Sequence, residues 1–341
     1  MKLVDILTTA TNAVTPVILL ILLGYFLMQK QFLNKEFVKI GNKLVFKVCL
    51  PVMLFVNVYN IESFASIQWD IVIYCVAVLL VIFGVGLVLA PMASNVPERK
   101  GVILQCVFRS NFALIGLSLV STMAGDSAVA VAAIISSFTI PVFNILAVIA
   151  LSMYLDNGTD WRQSIKNVIL NIFKNPLIIG IALGMVALVI RELQVAVLGR
   201  VAFSLKGNVK FLYTALNNIK SIASPFALLV LGAEFEFSSV KGLLKEIAVG
   251  TAARLVVAPV IGIGGVILLT NLGILNCGPD VYPGLVALFG SPVAVSSAIM
   301  AGSMGNDKQL ATQLVVWTSL LSIVTIFVLV CVLMGMGLIV V

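Results

Sequence analysis

Two polar breaks inside apolar stretches carry the chemistry this sequence can do. Arg109-Ser110-Asn111-Phe112-Ala113 interrupts the apolar stretch Gly101–Met123, and Gly290-Ser291-Pro292-Val293-Ala294 interrupts Tyr282–Met304. Asn111 stands ten residues after the start of its stretch and twelve before the end, and Pro292 stands at the same two distances in its own. Proline lacks an N–H and frees a carbonyl one turn back. In hydrocarbon such a group is tolerated only beside protein or a wet cavity. A broken helix also presents half-helix N-termini, whose free amides and positive dipole ends favour an anion. Two breaks at matching depths point to a transporter with its substrate site at the midplane of the bilayer.

The residues around the breaks define the candidate site. Asn111 can donate to a carboxylate and can also accept. Arg109 lies about 3 Å of helix rise from Asn111, and an arginine so deep costs at least ~2.5 kcal/mol on insertion scales. It must face a cavity, a carboxylate or bare carbonyls. Two roles are open to it: a charge that attracts an anionic substrate, or a structural clamp on carbonyls of the other broken span. Asn144, beside Pro141 and Phe143, is a polar residue in mid-span and faces the bundle interior, where it binds substrate or bonds helix to helix. Ser110, Phe112, Ser291, Pro292 and Val293 complete the candidate substrate-binding set.

Other polar residues have plainer readings. Glu234 follows Gly232 at the end of a span and is the better carboxylate for a coupling ion at an inward mouth. Asp126 and Asp307 each follow a glycine-containing turn and are expected to cap helices. Arg254, about seven residues inside its span, is expected to snorkel to the inner surface. Lys39, Lys43 and Lys47 recur every four residues and share one helix stripe; the first two are interfacial anchors, and Lys47 is deep enough to line an inward vestibule. The chain has no histidine, so a proton relay would have to use carboxylates. Cys49, Cys75, Cys106, Cys277 and Cys331 have neither CxxC nor metal spacing and read as small apolar packing residues. No catalytic set, no metal and no cofactor is called for.

Composition says what must position these residues. The chain of 341 residues is 61% hydrophobic and 10% charged, with a mean hydropathy of +1.17. That is a membrane protein. Ten spans are expected: Thr11–Met28, Ile40–Tyr59, Trp69–Ala90, Gly101–Met123, Ala128–Tyr154, Pro176–Ile190, Phe211–Gly232, Ile247–Leu269, Tyr282–Met304 and Gln309–Leu333. The first is read as a retained helix and not a signal peptide, because no small-residue cleavage site follows it. The net charge of +7 is no nucleic-acid signal, since the basic residues are scattered at span ends.

With the N-terminus outside, the inner segments hold Lys30, Lys35, Lys39, Lys43, Arg99, Lys100, Arg162, Lys166, Lys174, Lys241, Lys245 and Lys308. The outer ones hold Lys2, Arg191, Arg200, Lys206 and Lys210. Twelve against five favours both termini outside the cell (inner) membrane in a multi-pass chain. The basic stretch Arg191–Lys210 is the exception, read either as an amphipathic helix on the surface or as a sign that the neighbouring spans are misplaced.

The two halves overlay. A shift of 181 residues carries Ser110 onto Ser291, Asn111 onto Pro292, Ala113 onto Ala294 and Asp126 onto Asp307; a shift of 174 carries Pro51 onto Pro225. Five spans per half is an odd number, so the second half enters the membrane upside down. The expected organisation is a first five-helix repeat over 1–155, a cytoplasmic linker over 156–175 and a second, inverted five-helix repeat over 176–341.

Several stretches carry a resemblance. They are Leu23-Gly24-Tyr25, Asn42-Lys43-Leu44-Val45-Phe46 leading to Leu50-Pro51, Arg109-Ser110-Asn111-Phe112 through Gly116, and Phe143-Asn144. In the second half they are Asn175-Pro176, Ser224-Pro225 through Leu231-Gly232-Ala233, and Ser291-Pro292 through Met300-Ala301. In order and spacing the chain resembles the auxin efflux carrier family, which includes the plant PIN-type carriers and bacterial relatives often called malate permeases. The resemblance implies an all-α membrane protein of ten transmembrane helices in two inverted repeats, with broken, crossing helices four and nine. It implies transport of small organic anions, auxin-like acids or dicarboxylates, and a homodimer. The short loop after the fifth span looks bacterial.

Competing classes are weaker. An intramembrane enzyme would need carboxylates, a metal site or a Ser/His pair within its spans. A transporter-like membrane sensor would carry a signalling domain. A bile-acid-type sodium-coupled symporter is the nearest alternative carrier, and proton or sodium coupling stays open. The expected partners are a small organic anion, the lipid bilayer and a second copy of the chain, with no nucleic acid.

Overall fold

A computed structural model describes residues 3–60, 68–116, 119–120, 123–124, 126–155, 170, 173–236 and 240–339. The expected linker over 156–175 lies mostly outside these residues, as does the Asp126 side chain. Among the described residues the chain is helical: α1 (Leu3–Gln29), α2 (Lys35–Tyr59), α3 (Trp69–Ala93), α4 (Pro97–Phe108), α5 (Asp126–Ser152), α6 (Pro176–Leu198), α7 (Lys210–Glu234), α8 (Leu244–Asn271), α9 (Val281–Gly290), α10 (Ser296–Ser303) and α11 (Lys308–Gly335). Among the described residues, seven stretches are long and apolar enough to cross a membrane: α2, α3, Val131–Ser152 of α5, α6, α7, α8 and α11. The apolar stretch Thr15–Gln29 of α1, and α9, are shorter. The expected fourth and ninth spans are each interrupted where the polar breaks fall: α4 ends at Phe108 and a single π-helical turn, Phe112–Gly116, follows, while α9 ends at Gly290 before α10 begins.

Local chemistry accounts for the ends. The Asn34 side chain accepts from Phe37 N (2.7 Å) and starts α2. Asn175 accepts from Leu177 N (2.9 Å) with Pro176 in the first helical turn of α6, where its missing N–H loses no bond. Asp307 accepts from Leu310 N (2.9 Å) and caps α11 as expected. Inside α2 and α8, π-helical turns at Val45–Cys49 and Ala253–Val257 come just before Pro51 and Pro259. A mid-helix proline cannot donate to the ladder, and a wider turn absorbs the mismatch.

Of the two readings of Arg191–Lys210, the surface helix is corrected and the misplaced end of the sixth span is borne out. No surface helix of that length exists. Helix α6 runs eight residues past the expected Ile190, ending at Gly199 with φ 67°, and a one-turn helix, Leu205–Asn208, precedes α7. Arg191 donates to the Tyr59 carbonyl (3.1 Å), which ties α6 to the end of α2.

Helices α1, α2, α6 and α7 pack together, and α3, α4, α5 and α8 to α11 form a second group, with α1 also reaching α11. Helices α1 and α7 meet at Gly24 and Gly232. A Cβ on Gly24 would lie 2.0 Å from the Leu229 carbonyl oxygen, and one on Gly232 would lie 1.9 Å from that of Ile21. Only glycine permits this approach, and both residues belong to the motifs that carried the resemblance.

At one end of the bundle Arg99 pairs with Glu246 (2.9 Å) and Asp307 (3.0 Å). Lys308 pairs with Glu234, which also accepts from Asn42. These contacts gather the starts of α2, α4, α8 and α11 with the end of α7 at one face.

Candidate functional site

The two breaks are bonded to each other. Ser110 and Val293 form an isolated antiparallel bridge. Asn111 N donates to the Pro292 carbonyl (2.7 Å), and Ala294 N donates to that of Arg109 (3.4 Å). Val293 N donates to Thr318 Oγ1 (3.2 Å) from α11. The two chain segments therefore run through this point in opposite directions, each supplying hydrogen bonds the other's helix has lost. Proline at 292 fits because its carbonyl is used there and no N–H is needed.

On one side of the breaks lies a cavity of about 50 Å³. Arg109, Ser110, Asn111 and Ala113 of the first break, Ala294, Val295 and Ser296 of the second, and Ile140, Phe143 and Asn144 of α5 form one wall. The other wall comes from Leu50, Met53 and Leu54 of α2, Leu177 of α6, and Ser224 and Ala227 of α7. The cavity thus lies between the two helix groups. By volume it takes roughly three or four waters.

Arg109 reaches into this region and is 3% exposed. Its Nη2 donates to Asn144 Oδ1 (2.8 Å) and Ser296 Oγ (3.0 Å), and its Nη1 to Met300 Sδ (3.1 Å). All three acceptors are neutral side chains. The ion pairs among the described residues join Arg99, Glu246, Asp307, Lys308 and Glu234, and none includes Arg109. Asn144 donates back to the Ile140 carbonyl (2.8 Å), which fixes its amide and aims Oδ1 at the guanidinium. Ser110 Oγ and Asn111 Nδ2 are buried with no hydrogen-bond partner among the described residues. A buried donor left unpaired costs about 1–3 kcal/mol, so a group that satisfied Asn111 would gain that back.

The structure divides the expected site residues. Arg109, Ser110, Asn111 and Asn144 meet at the cavity. Phe112, Ser291, Pro292 and Val293 are buried behind the breaks and do not line it. Ala294, Val295 and Ser296 supply the ninth span's contribution, a few residues later than the sequence suggested. A helix-starting serine four residues after a mid-span proline, in Ser291-Pro292-Val293-Ala294-Val295-Ser296, was the available signal.

Arg254 overturns its expectation. It does not snorkel: it is 0% exposed, and its side chain points into the back of the two breaks. Nε donates to the Ser291 carbonyl (2.9 Å), Nη1 to those of Phe108 (3.1 Å) and Val107 (3.4 Å), and Nη2 to those of Phe289 (2.7 Å) and Leu288 (3.0 Å). Of the two roles the sequence left open to Arg109, the clamp on bare carbonyls is held by Arg254 instead. Gly262, two turns on in α8, lets the helix approach: a Cβ there would lie 2.3 Å from the Phe289 ring.

A second cavity of about 440 Å³ opens at the face where the charged ends gather. Lys35, Lys39, Lys43 and Lys308 line it with Asn42, Glu234 and Thr312. Lys39 and Lys43 take the mouth position, whereas Lys47 is exposed and does not line it. Glu234 is there as expected, already paired with Lys308.

A comparison with protein families matches residues 9–330 to a family described as membrane transport protein. No curated protein matches the chain. The match spans both breaks, both cavities and every motif that carried the resemblance, and the chain belongs to the auxin efflux carrier family of membrane transport proteins.

Proposed function

We propose that the protein is a secondary carrier for a small organic anion, with its substrate site at the two breaks. The observation that carries this is one arrangement: a cavity between two helix groups that holds Arg109, bonded only to neutral side chains, beside the unpartnered amide of Asn111. An anionic carboxylate there would take charge-assisted hydrogen bonds from both, with Ser110 Oγ within the same wall. The cavity admits a carboxylate but not the body of an auxin-like acid or dicarboxylate, so the two helix groups would have to part to admit one. Such parting, first toward one face and then the other, is alternating access. The antiparallel pairing of the breaks supports two inverted repeats, joined through the linker over 156–175, with α1, α2, α6 and α7 as a scaffold and the second group moving against it.

The basic mouth at Lys35, Lys39 and Lys43 faces the cytoplasm under the N-out orientation and draws anions toward the path. Glu234 is the carboxylate through which a proton could couple, with Lys308 as its competing partner. The test is uptake. The protein is reconstituted in liposomes and screened with auxin-like acids and dicarboxylates under imposed proton, sodium and anion gradients. Saturable uptake of at least one anion is the expected result. If none is taken up or bound under any gradient, the carrier reading fails.

A further inference from the structure

Broken helices leave a problem on the side away from the substrate. Helices α4 and α9 each end at a break, and their last carbonyls point to the same place. Each helix C-terminus carries roughly −0.5 elementary charge, so two converging ends present about one unit of negative charge, away from water. Carriers built on broken helices commonly put a metal cation against such carbonyls. Here the guanidinium of Arg254 makes five hydrogen bonds to carbonyls of Val107, Phe108, Leu288, Phe289 and Ser291, drawn from both breaks. The π-helical turn Ala253–Val257 that sets its direction belongs to α8 and to neither broken helix.

We infer that Arg254 is a tethered cation that holds the two breaks in register, standing where a mobile coupling ion would otherwise bind. It is a positioning residue. All five of its N–H groups can be spent on backbone carbonyls, so it keeps no donor for substrate and acts only by fixing the segments that carry Arg109 and Asn111. Its single positive charge offsets the two C-terminal ends, which leaves the charge of Arg109 to an incoming anion. One guanidinium bridging both segments also makes the crossing move as a unit. The carrier reading gives the inference its use but not its evidence, and its test reads stability and not uptake, so either can fail without the other.

The experiment empties the position and refills it. Arg254→Ala is purified in detergent, and its Tm is measured with ethylguanidinium chloride, with urea as a neutral planar control, and beside the wild type. The expected result is a Tm well below wild type that ethylguanidinium at millimolar concentration raises by a few degrees and urea does not, with the wild type unmoved by either. A Tm equal to wild type, a failure of ethylguanidinium to raise it, or an equal effect of urea overturns the inference, because shape and not charge would then matter. If Arg254→Ala yields no folded protein, Arg254→Lys is compared with Arg254→Met, which is similar in length and uncharged. Folded Arg254→Lys beside unfolded Arg254→Met is the expected outcome; equal behaviour of the two, or a more stable Arg254→Met, overturns it.

Discussion

Two arginines approach the same crossing from opposite sides, and they are not doing the same thing. Both are buried, and both would be equally costly to place in a membrane alone. Arg254 is bonded to five backbone carbonyls and lines neither of the two cavities described above. Arg109 is bonded to Asn144, Ser296 and Met300 side chains and lines a cavity. Backbone carbonyls cannot move away without unmaking the fold, whereas neutral side chains can turn aside for a stronger acceptor. Depth alone therefore says nothing about role. What an arginine's partners are, and whether they can be exchanged, separates the clamp from the binding group.

The sharpest way to break this comparison is to neutralise each arginine in turn. Arg254→Gln strands several buried carbonyls at once. It is expected to destabilise by several kcal/mol, of the order of the ~3–5 kcal/mol lost when a buried charge loses its partner, read as a lower Tm and a smaller monodisperse fraction. Arg109→Gln removes a charge whose partners are neutral and keeps a donor for Asn144, so its Tm should stay close to wild type. Arg109→Gln as unstable as Arg254→Gln would erase the distinction.

The next effect is on binding. Asn111→Ala should weaken anion binding by roughly ten- to a hundred-fold, matching ~1.5–3 kcal/mol for a hydrogen bond to a charged group. Stability should hold or rise, because an unpaired buried amide is removed; a titration beside a melt checks both. Pro292→Ala leaves the carbonyl bonded to Asn111 but lets α9 extend toward α10. Slower uptake with affinity within a few-fold of wild type is expected, because the ninth span's wall begins at Ala294; unchanged uptake would show that the proline does not hold the break open. The smallest effect belongs to the mouth. Glu234→Gln weakens a partly exposed ion pair with Lys308, a change of about 1 kcal/mol or less. Uptake should lose any dependence on a proton gradient that the wild type shows, and an unchanged dependence would remove Glu234 from coupling.

Much of the crossing was legible in the sequence because it rests on rules that hold residue by residue. A proline in hydrocarbon frees a carbonyl that must find a partner, an asparagine at the equivalent depth marks the companion break, and an arginine beside it must find acceptors. Asp307 was readable as a cap for the same reason. What was hidden depended on three dimensions. Arg254 was judged by its distance from the span end, which is the right quantity only for a side chain that faces lipid. The π-helical turn before Pro259 and the close approach at Gly262 turn it inward, and neither appears in a hydropathy profile. The shift of the ninth span's wall from Ser291, Pro292 and Val293 to Ala294, Val295 and Ser296 depends on which side of the crossing each residue faces, which spacing along the chain does not give. The charged segment after α6 misled because a long helix end and a short turn have the same composition as a surface helix.

The account stands most directly on the affinity of the Arg109→Gln protein for whichever anion the uptake screen identifies, measured by titration in detergent beside wild type with Tm recorded for both. It predicts at least a ten-fold loss of affinity at nearly unchanged Tm, with Arg109→Lys between the two. A well-folded Arg109→Gln protein that binds the anion as tightly as wild type would contradict it.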